Sequence, residues 1–212
     1  MANRTIRKTL LSFATIVVVL LVIAFILRNI AITWAPARDQ YPVQGISVDQ
    51  SHGKITWHVA GATGVDFAYI RATAGADLRD RNFAENMKGA REAGIRYGAF
   101  HEYSLCRLAT DQATIFVTTV PRGENMLPPA VRLGFDNGCG DRPGRALVLS
   151  ELNTFLNQIE SHSGKPAIIE VSREFEEFYN ISSGIDRTFW LEENFFPPDY
   201  ATKPWVMWRA SD

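Results

Sequence analysis

The sequence lacks any excess of one charge. In 212 residues, 22 Lys+Arg stand against 23 Asp+Glu, for a formal net charge of −1. Nucleic-acid binders usually carry a basic excess, so no nucleic-acid partner is expected. Cysteine is scarce. Cys106 and Cys139 are the only two, too few for a zinc site, and no His stands at ligand spacing beside either. No Gly-x-Gly-x-x-Gly or phosphate loop follows a candidate strand, which weighs against a nucleotide-binding doubly wound fold. No metal and no cofactor are expected. Ten Pro and 15 Gly are ordinary counts and exclude collagen-like and low-complexity chains. A hydrophobic share of 46% excludes a wholly disordered one.

Long apolar runs are present once. Thr9 to Leu27 carries no charge over 19 residues, about 28 Å as a helix, close to the ~30 Å hydrocarbon core. Arg4, Arg7 and Lys8 precede it, which favours a cytoplasmic N-terminus and a translocated remainder. Two readings compete. An uncleaved single-pass anchor fits the length. A cleaved signal usually has about 7–15 apolar residues and a small-residue site soon after. Here the only such site, Ala35-Pro36-Ala37, lies well beyond the run. The expected order is a basic cytoplasmic segment (1–8), a transmembrane anchor (9–28), a linker (29–41) broken by Pro36, and one domain (42–212) facing the periplasm or cell exterior. In an oxidising compartment two cysteines suggest one disulfide, Cys106–Cys139; the alternative is two buried thiols.

The body alternates strands and helices. Strands are expected at Gly45–Asp49, Phe67–Thr73, Tyr97–Ser104, Ala130–Asp136, Pro166–Val171, Thr188–Glu192 and Pro204–Arg209, on β-branched and aromatic content. Helices are expected over Asn82–Glu92, Thr110–Val120 with Thr110 as N-cap, Arg145–Ser161, and near Glu174–Tyr179. Val148, Leu152, Phe155 and Ile159 form the stripe of the longest. This alternation implies a mainly parallel sheet, either a barrel-like closure or an open doubly wound sheet. In a barrel, functional groups sit at the C-terminal ends of strands: Asp49, Thr73, His101, Asp136 and Trp205–Arg209.

Several segments then resemble one family in order and spacing. GISVDQSHGKITW (Gly45–Trp57) is similar to G-I-D-V-S-H-H-Q-G-x-I-D-W, and FAYIRATAG (Phe67–Gly75) to F-x-Y-I-K-A-T-E-G. RNFAENMKGAREAGIRYGAFHEY (Arg81–Tyr103) resembles a helix and strand ending in G-A-Y-H-F. DQATIF, LPPAV, FWLE and WVMWRA follow in register. The chain resembles the glycoside hydrolase family 25 lysozymes, N-acetylmuramidases acting on peptidoglycan. The resemblance implies an α/β, (β/α) barrel-like, irregular fold, without the family's last strand and preceded by the one transmembrane helix. It also implies a peptidoglycan glycan strand as ligand.

The same resemblance places the family's catalytic carboxylates at Ser47, Arg132 and Gly134, and none of these is acidic. The family's final-strand Asp falls beyond Asp212, and the Glu of A-T-E-G is Ala74. Glycoside hydrolysis needs a proton donor and a group that stabilises or captures an oxocarbenium-like centre, both normally carboxyl groups. A side-chain cation at Arg132 has the wrong sign for the second role. The expectation is a lysozyme-like protein that binds glycan, or holds a partner near the wall, without cutting it. Two alternatives remain. One is an active muramidase with displaced carboxylates Asp49 and Asp136, which otherwise cap turns. The other is an interaction protein with no glycan ligand, paired through the open edge that the first strand would present. Tyr69, His101, Glu102, Glu170, Trp190 and Trp208 are the substrate-binding candidates. For His101 and the aromatics the plainer role is in the core; for the glutamates the two readings are a cleft-facing residue paired with Arg132 and an exposed strand face.

Overall fold

The computed structural model describes residues 2–123, 125–135 and 138–211. Helix α1 (Ala2–Thr33) opens the chain. Its stretch Phe13–Ala31 has mean hydropathy 2.6 and none of it is buried. It is long and apolar enough to cross a membrane, as an anchor or as a signal sequence.

Seven parallel strands follow in the order β1 (Gly45–Val48), β2 (Phe67–Ala74), β4 (Arg96–Glu102), β5 (Ala130–Leu133), β6 (Ile168–Val171), β7 (Thr188–Glu192) and β8 (Trp205–Arg209). A short β3 (Leu78–Arg79) pairs antiparallel with β2. Each crossover steps to the neighbouring strand, as in a barrel. Closure is absent among the described residues: β1 pairs only with β2, and β8 only with β7. The sheet is therefore a parallel half-barrel with two free edges.

Side chains alternate across each strand. The outward set, including Ile70, Val131, Leu133, Ile169, Val171 and Leu191, packs on the helices in the main core. Those helices are α2 (Trp57–Ala62), α3 (Phe83–Glu92), α4 (Ala109–Thr119), α5 (Arg145–Ser163), α6 (Arg173–Tyr179) and α7 (Ile181–Gly184). Val148, Leu152, Phe155 and Ile159 of α5 are all buried, the stripe their spacing required. The inward set forms a second cluster: Tyr69, Phe100, Ala130, Ile168 and Trp190. Gly98 lets the Tyr69 ring lie on β4, since a Cβ there would sit 2.5 Å from that ring.

Two sequence expectations need correction, and a third falls outside the described residues. The strand expected over Ala130–Asp136 stops at Leu133, so Gly134 lies past the last paired residue. Asp136 lies outside the described residues. Thr110 is not an N-cap: α4 begins at Ala109, whose N–H donates to Glu151 Oε2 (2.9 Å) on α5, so a tertiary contact satisfies the helix end. Residues 34–41, within the expected linker, pack on the body. The Trp34 and Tyr41 rings meet Trp208 edge-on at 6.0 and 5.3 Å. Arg38 pairs with Asp66 (3.0 Å) and also donates to the Gly64 carbonyl. The segment straps the β8 side of the half-barrel to the chain that enters β2.

Candidate functional site

Parallel strands place all their C-terminal ends on one side. The polar inward positions near those ends are Ser47, Arg71, Glu102, Arg132, Glu170, Glu192 and Arg209, one from each parallel strand; on β2 a register shift after Arg71 brings Ala74 beside Glu102. From Arg71 to Glu170 the charges alternate between neighbouring strands, and each meets the next. Arg71 Nη1 donates to Glu102 Oε2 (2.8 Å). Glu102 Oε1 stands 3.5 Å from Arg132 Nη1. Arg132 Nε donates to Glu170 Oε2 (2.8 Å). Glu170 Oε1 faces Arg209 Nη1 (3.4 Å), which also donates to Glu192. A ladder of ion pairs thus spans the mouth.

Arg132 is its centre. Besides the two glutamates, its Nη2 donates to Ser47 Oγ (2.8 Å), and its guanidinium carbon lies 4.3 Å from the centre of the Phe100 ring. Planar five-donor geometry suits arginine to several acceptors at once. Both oxygens of Glu102 and both of Glu170 face guanidinium groups, and the Glu170 side chain is fully buried. Both glutamates are thus engaged through both of their oxygens.

Asp49 follows β1 and caps the 3-10 turn Gln50–His52. Its Oδ1 accepts from the Ser51 N–H (2.6 Å), while His52 Nδ1 accepts from the Asp49 N–H (3.2 Å). Its other oxygen lies 3.6 Å from Arg71 Nη1. Partial burial works to raise this carboxyl, but the Ser51 hydrogen bonds, Arg71 and His52 outweigh it and hold the group below the usual carboxylate range. Its surroundings are those of a turn cap. Asp80, buried beside it, accepts from Arg71 Nε (3.2 Å) and from the Gln50 N–H (2.8 Å).

A cavity of about 1240 Å³ runs from Asp49, His52, Arg132 and Arg209 at the mouth down to Leu127 and Pro128, between the free edges of β1 and β8. Tyr69 and Trp190 line it from within the barrel floor, buried, with centroids 5.2 Å apart. The Tyr69 hydroxyl donates to the Pro128 carbonyl (3.0 Å), and burial pushes its phenol up.

The other candidates are placed differently. His101 faces away from the cleft. It is fully buried between sheet and helices, its Nδ1 2.7 Å from Thr73 Oγ1 and its Nε2 3.1 Å from Gln112 Oε1. Burial pushes its imidazole down to about 4, only partly offset by Gln112. It is an interior histidine because an odd-numbered β4 residue points at the helices, whereas Phe100 and Glu102 point inward. Trp208 touches the cavity, but its Nε1 donates to the Glu193 carbonyl (2.6 Å) and its ring is engaged by Trp34 and Tyr41. Cys106 and Cys139 are disulfide-bonded. Their sulfurs also lie near Asp141, but the bond commits them, so that trio is no metal site.

Arg71, Asp80 and Glu192 were missed from the sequence, and Arg209 was named only as part of Trp205–Arg209. The signal that could have found the strand residues among them is the inward position near the C-terminal end of each strand, where the sign of the charge mostly alternates; Asp80 follows β3 and carries no such signal.

Residues 46–212 match the family model described as glycosyl hydrolases family 25. The chain is 26% identical over 179 residues to YegX of Escherichia coli (strain K12), covering 81% of this chain and 64% of that protein. It thus spans less than two thirds of that relative's length. A stretch of 69 residues is 44% identical to Lysozyme M1 of Streptomyces globisporus, over 32% of this chain and 23% of the lysozyme. The structure of a family 25 glycosyl hydrolase from Bacillus anthracis aligns with a TM-score of 0.77 at 27% identity, over 83% of this chain and 82% of that one.

Proposed function

The chain belongs to glycosyl hydrolase family 25, and on that premise we propose that it is a membrane-anchored protein that binds peptidoglycan glycan strands without cutting them. One observation carries the reading: the Arg132 guanidinium fills the centre of the mouth, bound to Ser47, Glu102 and Glu170. A cation there opposes positive charge developing on a sugar ring. Among the described residues, no unengaged carboxyl stands opposite it to protonate a leaving oxygen. The ladder and the long cavity still offer many polar groups to sugar hydroxyls. Asp49, the first half of the displaced acidic pair, is already committed to its turn and to Arg71.

The anchor rests on the Phe13–Ala31 stretch of α1, which is apolar, unburied and preceded by Arg4, Arg7 and Lys8, and on a disulfide suited to an oxidising compartment. A zymogram on purified peptidoglycan, run beside a sedimentation assay with the same material, tests the function. Retention without clearing is expected. Clearing would establish a muramidase, and absence of retention would leave an interaction protein with no glycan ligand. Alkaline extraction of membranes tests the anchor: the intact chain should stay in the pellet, whereas a cleaved signal would release a shortened body.

A further inference from the structure

The loop between β7 and β8 carries two exposed aromatics, Phe195 at 41% and Phe196 at 72% exposure. This loop is not slack. Arg173 pairs with Glu193 (2.6 Å) and Asp199 (3.1 Å) at its two ends. The Trp205 indole donates to the Pro198 carbonyl (3.0 Å), and the Phe195 N–H to the Ala210 carbonyl (3.0 Å). At its tip Phe195 has φ +70°, and the Phe196 N–H donates to the Asn194 carbonyl two residues back (2.9 Å). This tight turn, with a bulky residue in the left-handed region, is strained. A fixed loop thus holds a strained turn, with its most hydrophobic side chain in solvent.

The place of this loop gives the exposure a purpose. α1 ends at Thr33, and the next residue, Trp34, meets the Phe195 ring edge-on at 5.3 Å. The apolar surface of α1 therefore continues through Trp34 into the Phe195–Phe196 tip. The strap beyond Trp34 leaves no slack, since Tyr41 packs on Trp208 and Gln44 Nε2 donates to the Pro36 carbonyl (2.7 Å). Aromatic side chains beside the end of a spanning helix sit favourably at the headgroup level.

We propose that Trp34, Phe195 and Phe196 form a foot seated in the interface of the bilayer that α1 crosses. The proposal rests on the anchor reading above. The helix already holds the loop at the surface, so seating the foot needs little further loss of freedom. The loop leaves the C-terminal end of β7, the same side as Ser47, Arg132 and Glu170. The foot therefore sets the mouth of the half-barrel beside the membrane. Its reachable ligand is glycan lying close to the bilayer, not the outer layers of a wall.

The test uses the full chain in phosphatidylethanolamine/phosphatidylglycerol vesicles, with nitroxide labels on single added cysteines and the native disulfide intact. Labels at Val22→Cys, Pro197→Cys and Val59→Cys report α1, the foot and an exposed helix of the body. The ratio of oxygen to nickel-chelate relaxation reads depth. The Pro197 label should show a ratio several-fold above the Val59 label, and adding Phe195→Ser and Phe196→Ser should return it to the Val59 value. A buried Val22 label with Pro197 no different from Val59 overturns the foot and leaves the anchor standing. A Pro197 label shielded from both reagents means that a second protein copy covers the tip, and also overturns it. A water-exposed Val22 label removes the anchor reading and the foot together.

Discussion

The floor and the mouth of the barrel interior are built by the same strands, two residues apart. Tyr69, Phe100, Ala130, Ile168, Trp190 and Met207 make or pack on an apolar floor. Two positions on stand Arg71, Glu102, Arg132, Glu170, Glu192 and Arg209, tied into an ion-pair ladder. The floor is held by non-directional burial, which tolerates small changes of shape. The mouth is held by pairings, in which each loss strands a partner. The candidate site therefore sits where the structure is least forgiving, with the Arg132 cation at its centre.

The largest expected effect concerns the loops above the mouth. Cys106 and Cys139 follow β4 and β5 and close a loop with a sequence separation of 33. Reducing them should lower stability by about 4 kcal/mol in the chain-entropy view. A urea midpoint that does not move on reduction would show that the ladder alone braces those loops. Next, Arg132→Ala should cost about 3 kcal/mol, the low end for breaking a buried pair because Arg209 still faces Glu170. Arg132→Met with Glu170→Leu should recover most of it by denaturant unfolding. If the double variant is no better than the single one, the mouth is not a balance of paired charges.

A comparable effect lies outside both regions and separates them from the helix-facing core. His101 is held down to about 4 against 6.5 in an unfolded chain. The folded state binds its proton more weakly, so this contribution is full above pH 6.5 and is lost as pH falls toward 4, on the order of 3 kcal/mol in all. A His101→Gln variant should show a flatter stability curve across that window, and an unchanged slope would place the titration elsewhere. The smallest effect belongs to the floor. Tyr69→Phe loses one hydrogen bond, to the Pro128 carbonyl, and should cost about 1 kcal/mol. A cost as large as that of Arg132→Ala would erase the contrast between floor and mouth.

Legibility followed the range of the interactions. The α5 stripe and the parallel strands could be read because period and β-branching are local properties. Glu102 and Glu170 were legible as strand residues, one of them as a partner for Arg132, but that Arg132 engages both was not, since the three come from different strands. The direction of His101 stayed open between two options because one register step decides it. The role of residues 34–41 was hidden, since nothing local in Trp34 says that a loop some 160 residues later will meet it.

The sequence alone determined an apolar N-terminal helix, a βα alternation and the residue types that the strands carry. These follow from composition, hydrophobic period and residue identity, which act within a few neighbours. Only the tertiary structure decided that the charges of distant strands close into one ladder around Arg132, that the half-barrel keeps two free edges, and that Trp34 meets the Phe195 tip. Ion pairing and aromatic contact act through space, and which groups come within a few ångströms is fixed only when the strands take their register.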